Sequence, residues 1–89
     1  MTFFITMFTV YILYSIKFDR FYKGQTSDLN RRLKEHNNAE EKSTANYVPW
    51  QLVWFKNVET RTEALILEKK LKNITGKNRI REFIKRHAT

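Results

Sequence analysis

Near the start of the chain, apolar and mixed positions alternate with a period of two, which predicts a β-strand from Thr9 to Ser15. One face of this strand is apolar throughout and comprises Phe8, Val10, Ile12, Tyr14 and Ile16. The other face carries Thr9, Tyr11, Leu13 and Ser15. Tyr11 therefore lies on the more polar side of the strand.

A second strand is predicted to follow after a short turn. Residues 17–20 form the turn, and residues 21–25 return as the second strand. With a turn of that length Ile16 lies opposite Phe21, because the loop sets the register of a hairpin. This register places three residues on one face of the sheet: Tyr11, Tyr22 and Gly24.

Helical spacing begins after the second strand. Either Ser27 or Asp28 is placed to cap a helix that runs to about Asn37. The inward face of this helix carries Leu29 and Leu33. Two polar residues, four apart, project from one face beside that apolar stripe: Arg32 and His36.

A third strand is predicted beyond a polar loop that extends from Asn38 to Tyr47. Pro49 introduces the strand, which runs from Trp50 to Lys56. Both faces of the strand are apolar, with Leu52 and Trp54 on one face and Val53 and Phe55 on the other.

Two helices complete the pattern. Residues 60–63 spell T-x-x-E, a capping box that opens the first of them. Its core positions keep helical spacing and are Ala64, Leu67, Leu71 and Ile74. Gly76 is expected to end this helix. Asn78 then starts a last, basic helix, whose inward residues are Ile80, Phe83 and Ile84.

The order strand, strand, helix, strand, helix, helix predicts a small α+β domain. We therefore expect a three-stranded antiparallel sheet flanked by helices. The 89 residues form one domain, with a core at about residues 8–75 and a C-terminal basic helix at about residues 78–87.

The charge of the chain indicates a polyanionic partner. Lys and Arg number 17 against 9 Asp and Glu, which gives a formal net charge of +8. Nucleic acid is the first candidate and an anionic membrane the second, while solubility alone is a third explanation. The sequence has no cysteine, so disulfides are excluded, and its 2 histidines are too few for a structural zinc site.

Residues 1–16 are rich in apolar side chains. They lack the basic region and cleavage site of a signal peptide and are shorter than the roughly 20 residues of a spanning helix. Their β-branched and aromatic side chains favour a strand instead. We expect a cytoplasmic protein that does not bind membranes, in which Met7 is an alternative start and residues 1–6 are a dispensable extension.

Four elements, taken in order, resemble the GIY-YIG endonuclease domain. Thr9-Val10-Tyr11 corresponds to the family's G-I-Y tripeptide, and Tyr22-Lys23-Gly24 corresponds to Y-I-G. Arg32 follows on the first helix, and Glu68 holds the acidic position of the family's metal-binding helix. The family varies at the two positions that differ here, Thr9 and Lys23. The resemblance covers residues 8 to about 75 and is strongest with the small stand-alone members.

The resemblance implies a metal-dependent endonuclease that hydrolyses DNA phosphodiester bonds, with structured or damaged DNA as candidate substrates. Tyr11 would act as the base on the attacking water, and Tyr22 would help to position it. Arg32 supplies a permanent charge and a forked donor for the scissile phosphate. His36 would donate to a phosphate or assist the leaving group. Glu68 would bind Mg²⁺ or Mn²⁺, because magnesium takes only one or two protein carboxylates beside the substrate phosphate.

The reactive groups of Tyr11, Tyr22, Arg32 and Glu68 are expected to converge on one concave surface. Further contacts with the DNA backbone are expected from Lys23, Gly24, Thr26, Arg31 and Lys72. Asn73 and Asn78 are both candidates for the family's downstream Asn. The sequence shows no base-reading module, so specificity would come from DNA structure, a protein partner or a homodimer.

Simpler interpretations compete with these roles. Tyrosines on strands are often ordinary half-buried aromatics, and a helical His usually serves packing or lies at the surface. Arg32 has Glu35 or Glu63 as an ion-pair partner, and Glu68 has Lys72 one turn later.

Two alternative functions follow from these interpretations. The first is a GIY-YIG module that binds nucleic acid with little or no cleavage. The second is a small basic interaction protein that docks another protein through a surface formed by Trp50 and Trp54.

Overall fold

Three strands and three helices follow one another in the expected order in a computed structural model, which describes residues 7–88. The strands are β1 (Phe8–Ser15), β2 (Arg20–Thr26) and β3 (Gln51–Val58). The helices are α1 (Leu29–Asn37), α2 (Arg61–Lys72) and α3 (Lys77–Arg86), with a 3₁₀ turn at Ala45–Tyr47. The strands pair antiparallel in the order β2-β1-β3, so the α+β prediction is confirmed. The extension proposed for residues 1–6 lies outside the described residues.

The sheet is covered on both faces, which buries its central strand. On one face Val10 and Ile12 pack against α2 and α3. On the other face Tyr11 and Leu13 pack against α1 and Trp50. These four β1 residues are at most 1% exposed. The inward-facing helix positions predicted from the sequence all belong to these two clusters: Leu29, Leu33, Ala64, Leu67, Leu71, Ile74, Ile80, Phe83 and Ile84.

The turn between β1 and β2 begins one residue earlier than expected. It comprises Ile16–Asp19, and Tyr14, rather than Ile16, lies opposite Phe21. The turn ends at Asp19 with a φ of 50°, a left-handed conformation that Asp adopts more readily than most residues. The predicted register is wrong by two residues, and a shift of two preserves side-chain parity. Tyr11, Tyr22 and Gly24 therefore still share one face of the sheet, as expected.

A bulge interrupts β3. Ile12 pairs with Trp54, whereas Leu13 pairs with Leu52, so Val53 is an extra residue on β3. The bulge breaks the alternation of the strand, and the expectation that Leu52 and Trp54 share a face is wrong. Leu52 packs on the Tyr11 face, while Val53 and Trp54 pack on the other.

The docking surface expected from the two tryptophans is not formed. Trp50 is 6% exposed and Trp54 is 9% exposed, and the two belong to clusters on opposite faces of the sheet. The indole of Trp50 donates to the carbonyl of Thr44, and that of Trp54 donates to the carbonyl of His87. Both side chains are core residues, so the interaction-protein alternative loses its proposed surface.

The caps predicted at the starts of α1 and α2 are present, and α1 ends at Asn37 as expected, whereas α2 ends earlier than expected. Asp28 caps α1, and Thr60 caps α2 by accepting from the backbone N–H of Glu63. The Glu63 carboxylate accepts from the backbone N–H of Glu59, the residue before the cap, in place of the usual capping-box bond from the N–H of Thr60. Gly76 does not end α2, which stops earlier; it precedes α3 as its N-cap with a φ of 89°. Among residues 7–88 no helix combines the length and apolarity needed to cross a membrane.

Candidate active site

Tyr11 lies in the middle of β1, directly opposite Gly24 of β2. A Cβ atom on Gly24 would come within 2.6 Å of the Tyr11 hydroxyl and 2.8 Å of its Cζ. The phenol therefore passes across the Gly24 backbone toward the open edge of the sheet, since β2 is an edge strand. Only glycine permits so close an approach between a ring and a strand.

The Tyr11 hydroxyl meets a buried histidine. Its oxygen lies 2.9 Å from Nε2 of His36, and Nδ1 of the same ring lies 2.8 Å from Oγ1 of Thr44. His36 and Thr44 are both 0% exposed. Tyr22 packs on the imidazole with a centroid distance of 4.9 Å. Because both ring nitrogens are occupied by protein groups, the direct contact expected between His36 and a phosphate does not fit this arrangement.

The hydrogen bonds of Thr44 determine which nitrogen of His36 carries the proton. The Thr44 hydroxyl lies 3.3 Å from the carbonyl oxygen of Glu41, which can only accept. The Thr44 oxygen then accepts from Nδ1–H of His36, and Nε2 is left to accept from Tyr11. Burial first, and then the charge of Arg32, lower the pKa of His36, although Glu41 and Glu35 act in the opposite direction. His36 is therefore a neutral imidazole at pH 7, arranged to accept a proton from the Tyr11 phenol.

We expect Thr44→Val to remove the contact that holds the proton of His36 on Nδ1. Valine has the volume of threonine but cannot accept from Nδ1–H, so a buried donor loses its partner at a cost of about 1–3 kcal/mol in the free energy of unfolding. Long-range ¹H–¹⁵N spectra should show His36 protonated at Nδ1 in the parent and a mixed or reversed tautomer in the variant. Thr44→Ser, which keeps the hydroxyl, is the control and should give the parent spectrum. A parent-like spectrum for the valine variant would contradict the assignment.

Arg32 connects the site with the loop that follows α1. Its Nη1 lies 3.1 Å from Glu35, and its Nη2 lies 2.6 Å from Glu41. Pairing with Glu35 was expected, but Glu41 takes the place proposed for Glu63. The side chain is 27% exposed, so it is not sealed from solvent. The charge remains available to an incoming anion, which would compete with the two carboxylates.

Burial dominates the protonation of Tyr11. Desolvation raises the pKa of Tyr11 to about 12, although the guanidinium of Arg32 beside it lowers the pKa. The effect of burial thus outweighs that of Arg32, and Tyr11 keeps its proton at neutral pH. A phenol that keeps its proton at neutral pH needs a neighbour to take that proton, and Nε2 of His36 is in position to do so.

Glu68 reaches β2 from the opposite face of the sheet. Helix α2 packs on the Val10 face, and Oε2 of Glu68 accepts from Nε2 of Gln25 at 3.0 Å. The other carboxylate oxygen lies 3.5 Å from Nζ of Lys72, so the expected ion pair is formed. The Glu68 charge is close enough to raise the pKa of Tyr11. Tyr11 and Glu68 therefore approach the edge strand from its two faces, and the expectation that they converge on one concave surface is wrong.

Glu68 offers a single carboxylate to a metal ion. Within residues 7–88 no three His, Cys, Asp or Glu side chains are grouped as a metal site. The amide oxygen of Gln25, on the group that holds Glu68, is buried without a hydrogen-bond partner. One carboxylate with an unsatisfied oxygen beside it fits Mg²⁺, which keeps several waters and uses few protein ligands. The same set is too small for zinc.

The other residues expected to contact DNA are not gathered at Tyr11. Lys23 lies on the opposite face, where its ammonium donates to a backbone carbonyl after α2 at 2.8 Å. The hydroxyl of Thr26 is bonded to the backbone at the start of α1. Arg31 and Lys72 are exposed to solvent. Two of the four side chains are therefore tethered within the fold.

Three residues of the site were not predicted from the sequence. Thr44 and Glu41 lie in a polar loop without periodicity, and nothing in the sequence marks them as partners of His36 and Arg32. For Gln25 a signal existed, because it occupies a core-facing position of β2 where an apolar residue is expected.

Two UPF0213 proteins are similar to this chain. A UPF0213 protein from Haloquadratum walsbyi is 44% identical over 55 residues, a span that covers 61% of this chain and 62% of that protein. The solution NMR structure of a UPF0213 protein from Bacillus halodurans shows 28% sequence identity and a TM-score of 0.53, and the match covers 86% of this chain and 82% of the other. The chain is thus similar to UPF0213 proteins in sequence and in fold.

The GIY-YIG catalytic domain matches residues 7–81, from the start of β1 into α3. The matched segment contains Tyr11, Tyr22, Arg32, His36 and Glu68. Proteins with this domain are of the endonuclease type, and their activity generally depends on a divalent metal. The chain belongs to the GIY-YIG family.

Proposed function

We propose that the protein is a metal-dependent endonuclease that hydrolyses phosphodiester bonds in DNA. The proposal rests on the hydrogen bond between Tyr11 and Nε2 of His36 at the edge strand. An ordinary strand tyrosine does not require a fully buried imidazole whose tautomer is fixed by a second buried side chain, Thr44. Buried polar networks are costly unless every member is satisfied, so such a network favours a functional over a packing role.

The geometry suggests how these residues share one proton transfer. Tyr11 accepts a proton from the attacking water while its own proton passes to Nε2 of His36. The phenol stays neutral throughout, in keeping with its raised pKa. Arg32 turns its N–H groups from Glu35 and Glu41 to the oxygens of the scissile phosphate. The water oxygen bonds to phosphorus as the bond between phosphorus and the leaving oxygen breaks. The leaving oxygen takes its proton from a second water, and His36 returns its proton through Tyr11 to the hydroxide that remains.

Glu68 would hold the divalent metal, and Gln25 would keep the carboxylate in place. A bound Mg²⁺ or Mn²⁺ supplies positive charge to the phosphate oxygens as the reaction proceeds. Because Glu68 and Tyr11 reach β2 from opposite faces, the scissile phosphate would lie across the edge of the sheet between them.

Gly24→Ala should lower both the rate of cleavage and the free energy of unfolding. The added methyl would clash with the hydroxyl and Cζ of Tyr11 at 2.6 and 2.8 Å, so the phenol must leave its place beside His36. We expect a loss of about 1–3 kcal/mol in the free energy of unfolding, together with a fall in cleavage of about a hundredfold, as a misplacement of about 1 Å produces. Denaturant unfolding and a nicking assay provide the two measurements.

Gly76→Ala is the matched control for this substitution. Nothing lies within 4 Å of a Cβ at position 76, but its φ of 89° is strained for alanine. Stability should therefore fall by about 1 kcal/mol with cleavage unchanged. Equal effects of the two variants on cleavage would remove the special role of Gly24.

The endonuclease proposal is tested by nicking of a supercoiled plasmid with Mg²⁺ or Mn²⁺. Nicks should appear with either metal and disappear when the metal is chelated. Flapped, branched and nicked oligonucleotides extend the test to structured DNA. Failure to cut any of these substrates with either metal would contradict the proposal.

A nucleic-acid-binding module without cleavage is the second candidate. The ion pairs of Arg32 with Glu35 and Glu41 favour it, because they must open before the guanidinium can bind a phosphate. In either case the net charge of +8 predicts binding to duplex DNA that weakens steeply with salt. The log–log slope should be about −0.9 per phosphate neutralised. Affinity that stays flat between low and physiological salt would contradict both candidates.

A further inference from the structure

The turn between β1 and β2 exposes large apolar side chains. Ile16 is 74% exposed, more than any other large hydrophobic residue in the described part of the chain, and Phe18 is 43% exposed. Turns usually carry Gly, Pro, Asn, Asp or Ser, for which backbone geometry gives a reason. Neither Ile16 nor Phe18 is needed to close this turn, so their exposure requires another explanation.

Aromatic rings connect this turn to the candidate active site. The ring of Phe18 meets that of Tyr47 edge-on at 5.5 Å. Tyr47 contacts Trp50 at 6.5 Å, and Trp50 contacts Tyr22 at 6.3 Å. We call Ile16, Lys17, Phe18, Arg20 and Tyr47 the tip surface. It lies at the outer end of a continuous row of rings that begins at Tyr22.

The tip surface is basic. Nζ of Lys17 lies 5.6 Å from the ring centroid of Phe18, and the guanidinium of Arg20 lies 4.2 Å from that of Tyr47. Asp19, the acidic residue of the turn, is bonded instead to Lys77 and Arg81 of α3. In residues 7–88 neither Lys17 nor Arg20 has an acidic partner, and both residues are exposed beside the rings of Phe18 and Tyr47.

We propose that the tip surface binds an unpaired nucleobase of DNA. The base would stack on Phe18 and against Ile16, while Lys17 and Arg20 contact the flanking phosphates. Aromatic rings interleaved with cations are the usual platform for unpaired bases, and exposed Phe or Ile side chains serve as wedges between base steps. Two unpaired cations in so small a surface favour a polyanion over a second, equally basic copy of this chain. The inference rests on the proposed function in taking DNA as the substrate, and it assigns the substrate a single-stranded segment near the cut.

The test compares two DNAs that carry the same phosphates. Each is a duplex with a short single-stranded overhang, which consists of adenines in one and of abasic residues in the other. Fluorescence anisotropy should show that the parent binds the adenine overhang about tenfold more tightly, the lower part of the range for a stacked base. Ile16→Ser/Phe18→Ser should lose this preference and keep its affinity for the abasic DNA.

Phe55→Ser/Ile66→Ser is the matched control. It removes two apolar side chains of similar exposure, 51% and 53%, from β3 and α2. This control should keep the preference for adenine. The proposal is overturned if the parent binds both overhangs equally, or if the tip variant weakens both to the same extent.

Other outcomes separate the inference from the endonuclease proposal. A parent that prefers the adenine overhang but cuts no DNA supports the tip surface and rejects the nuclease. A parent that nicks plasmid but shows no preference for the adenine overhang supports the nuclease and rejects the tip surface. Sedimentation gives a further check: a parent dimer that Ile16→Ser/Phe18→Ser converts to a monomer would show a second copy on the tip surface and overturn the inference.

Discussion

Glu68→Ala should abolish metal-supported cleavage while DNA binding is retained. Within residues 7–88 Glu68 belongs to no group of three His, Cys, Asp or Glu side chains that could hold a metal ion, so the proposed metal site depends on its one carboxylate. The lost stabilisation of charge at the phosphate amounts to several kcal/mol, which corresponds to a fall of about a thousandfold or more in rate. Affinity for DNA should hold or rise slightly, because a negative charge leaves a basic surface. Nicking and filter binding on the same purified proteins measure the two effects.

The control for Glu68→Ala is Glu82→Ala. Glu82 is an exposed residue of α3 that pairs with Arg86, so its removal changes the net charge equally and leaves the site intact. Cleavage should match the parent. Glu68→Ala itself should also lose about 1 kcal/mol of stability, because the amide of Gln25 loses its acceptor. A Glu68 variant that cuts like the parent would show that the metal assignment is wrong.

The sequence predicted the elements of the fold because their determinants are local. Strand parity, helical spacing and side-chain caps each depend on a few neighbouring residues, and Asp28 and Thr60 cap the helices as expected. The β3 bulge could not be predicted, since it depends on how Leu52 and Trp54 are each drawn to a different core cluster. A pattern that is apolar on both faces gives no sign of where the alternation breaks.

Some residues of the candidate site could likewise be predicted from the sequence, and others could not. Tyr11, Tyr22 and Arg32 could be identified from spacing together with the family resemblance. The burial of His36 and its bond to Thr44 could not, because Thr44 lies in a loop that folds over the ring from eight residues away. A histidine on an amphipathic helix looks the same in sequence whether it faces solvent or a loop. The position of Glu68 across the sheet likewise depends on helix packing that the sequence pattern leaves undetermined.

Tyr11→Phe should lower cleavage by about 10²- to 10⁴-fold, the range typical of a lost proton-transfer group. The substitution removes only the hydroxyl that lies 2.9 Å from Nε2 of His36. Tyr14→Phe is the matched control on the same strand and the opposite face, where the hydroxyl donates to Asp19. The control should cut like the parent. Equal activity of parent and Tyr11→Phe would leave Tyr11 as an ordinary strand aromatic.

The pH dependence of cleavage should show which group takes the proton of Tyr11. The groups that face His36 are Arg32 and Glu35 on its own helix, Glu41 in the following loop, and the phenols of Tyr11 and Tyr22 on the sheet. Burial, the largest cause, and then the charge of Arg32 lower the pKa of His36 from its usual value of about 6.5, although Glu41 and Glu35 act in the opposite direction.

Protonated His36 cannot accept from Tyr11, so the single-turnover rate should fall as the pH drops through this lowered pKa and should be level above about pH 6.5. The free energy of unfolding should also fall as the pH drops. The unfolded chain binds the proton first, so the contribution of neutral His36 is complete above about pH 6.5 and is lost as the pH falls through the folded pKa. If Tyr11 reacted instead as a phenolate, its raised pKa would give a rate that climbs about tenfold per pH unit toward pH 12. A continuous climb of that kind would exclude His36 as the acceptor, whereas a plateau above neutral pH would support it.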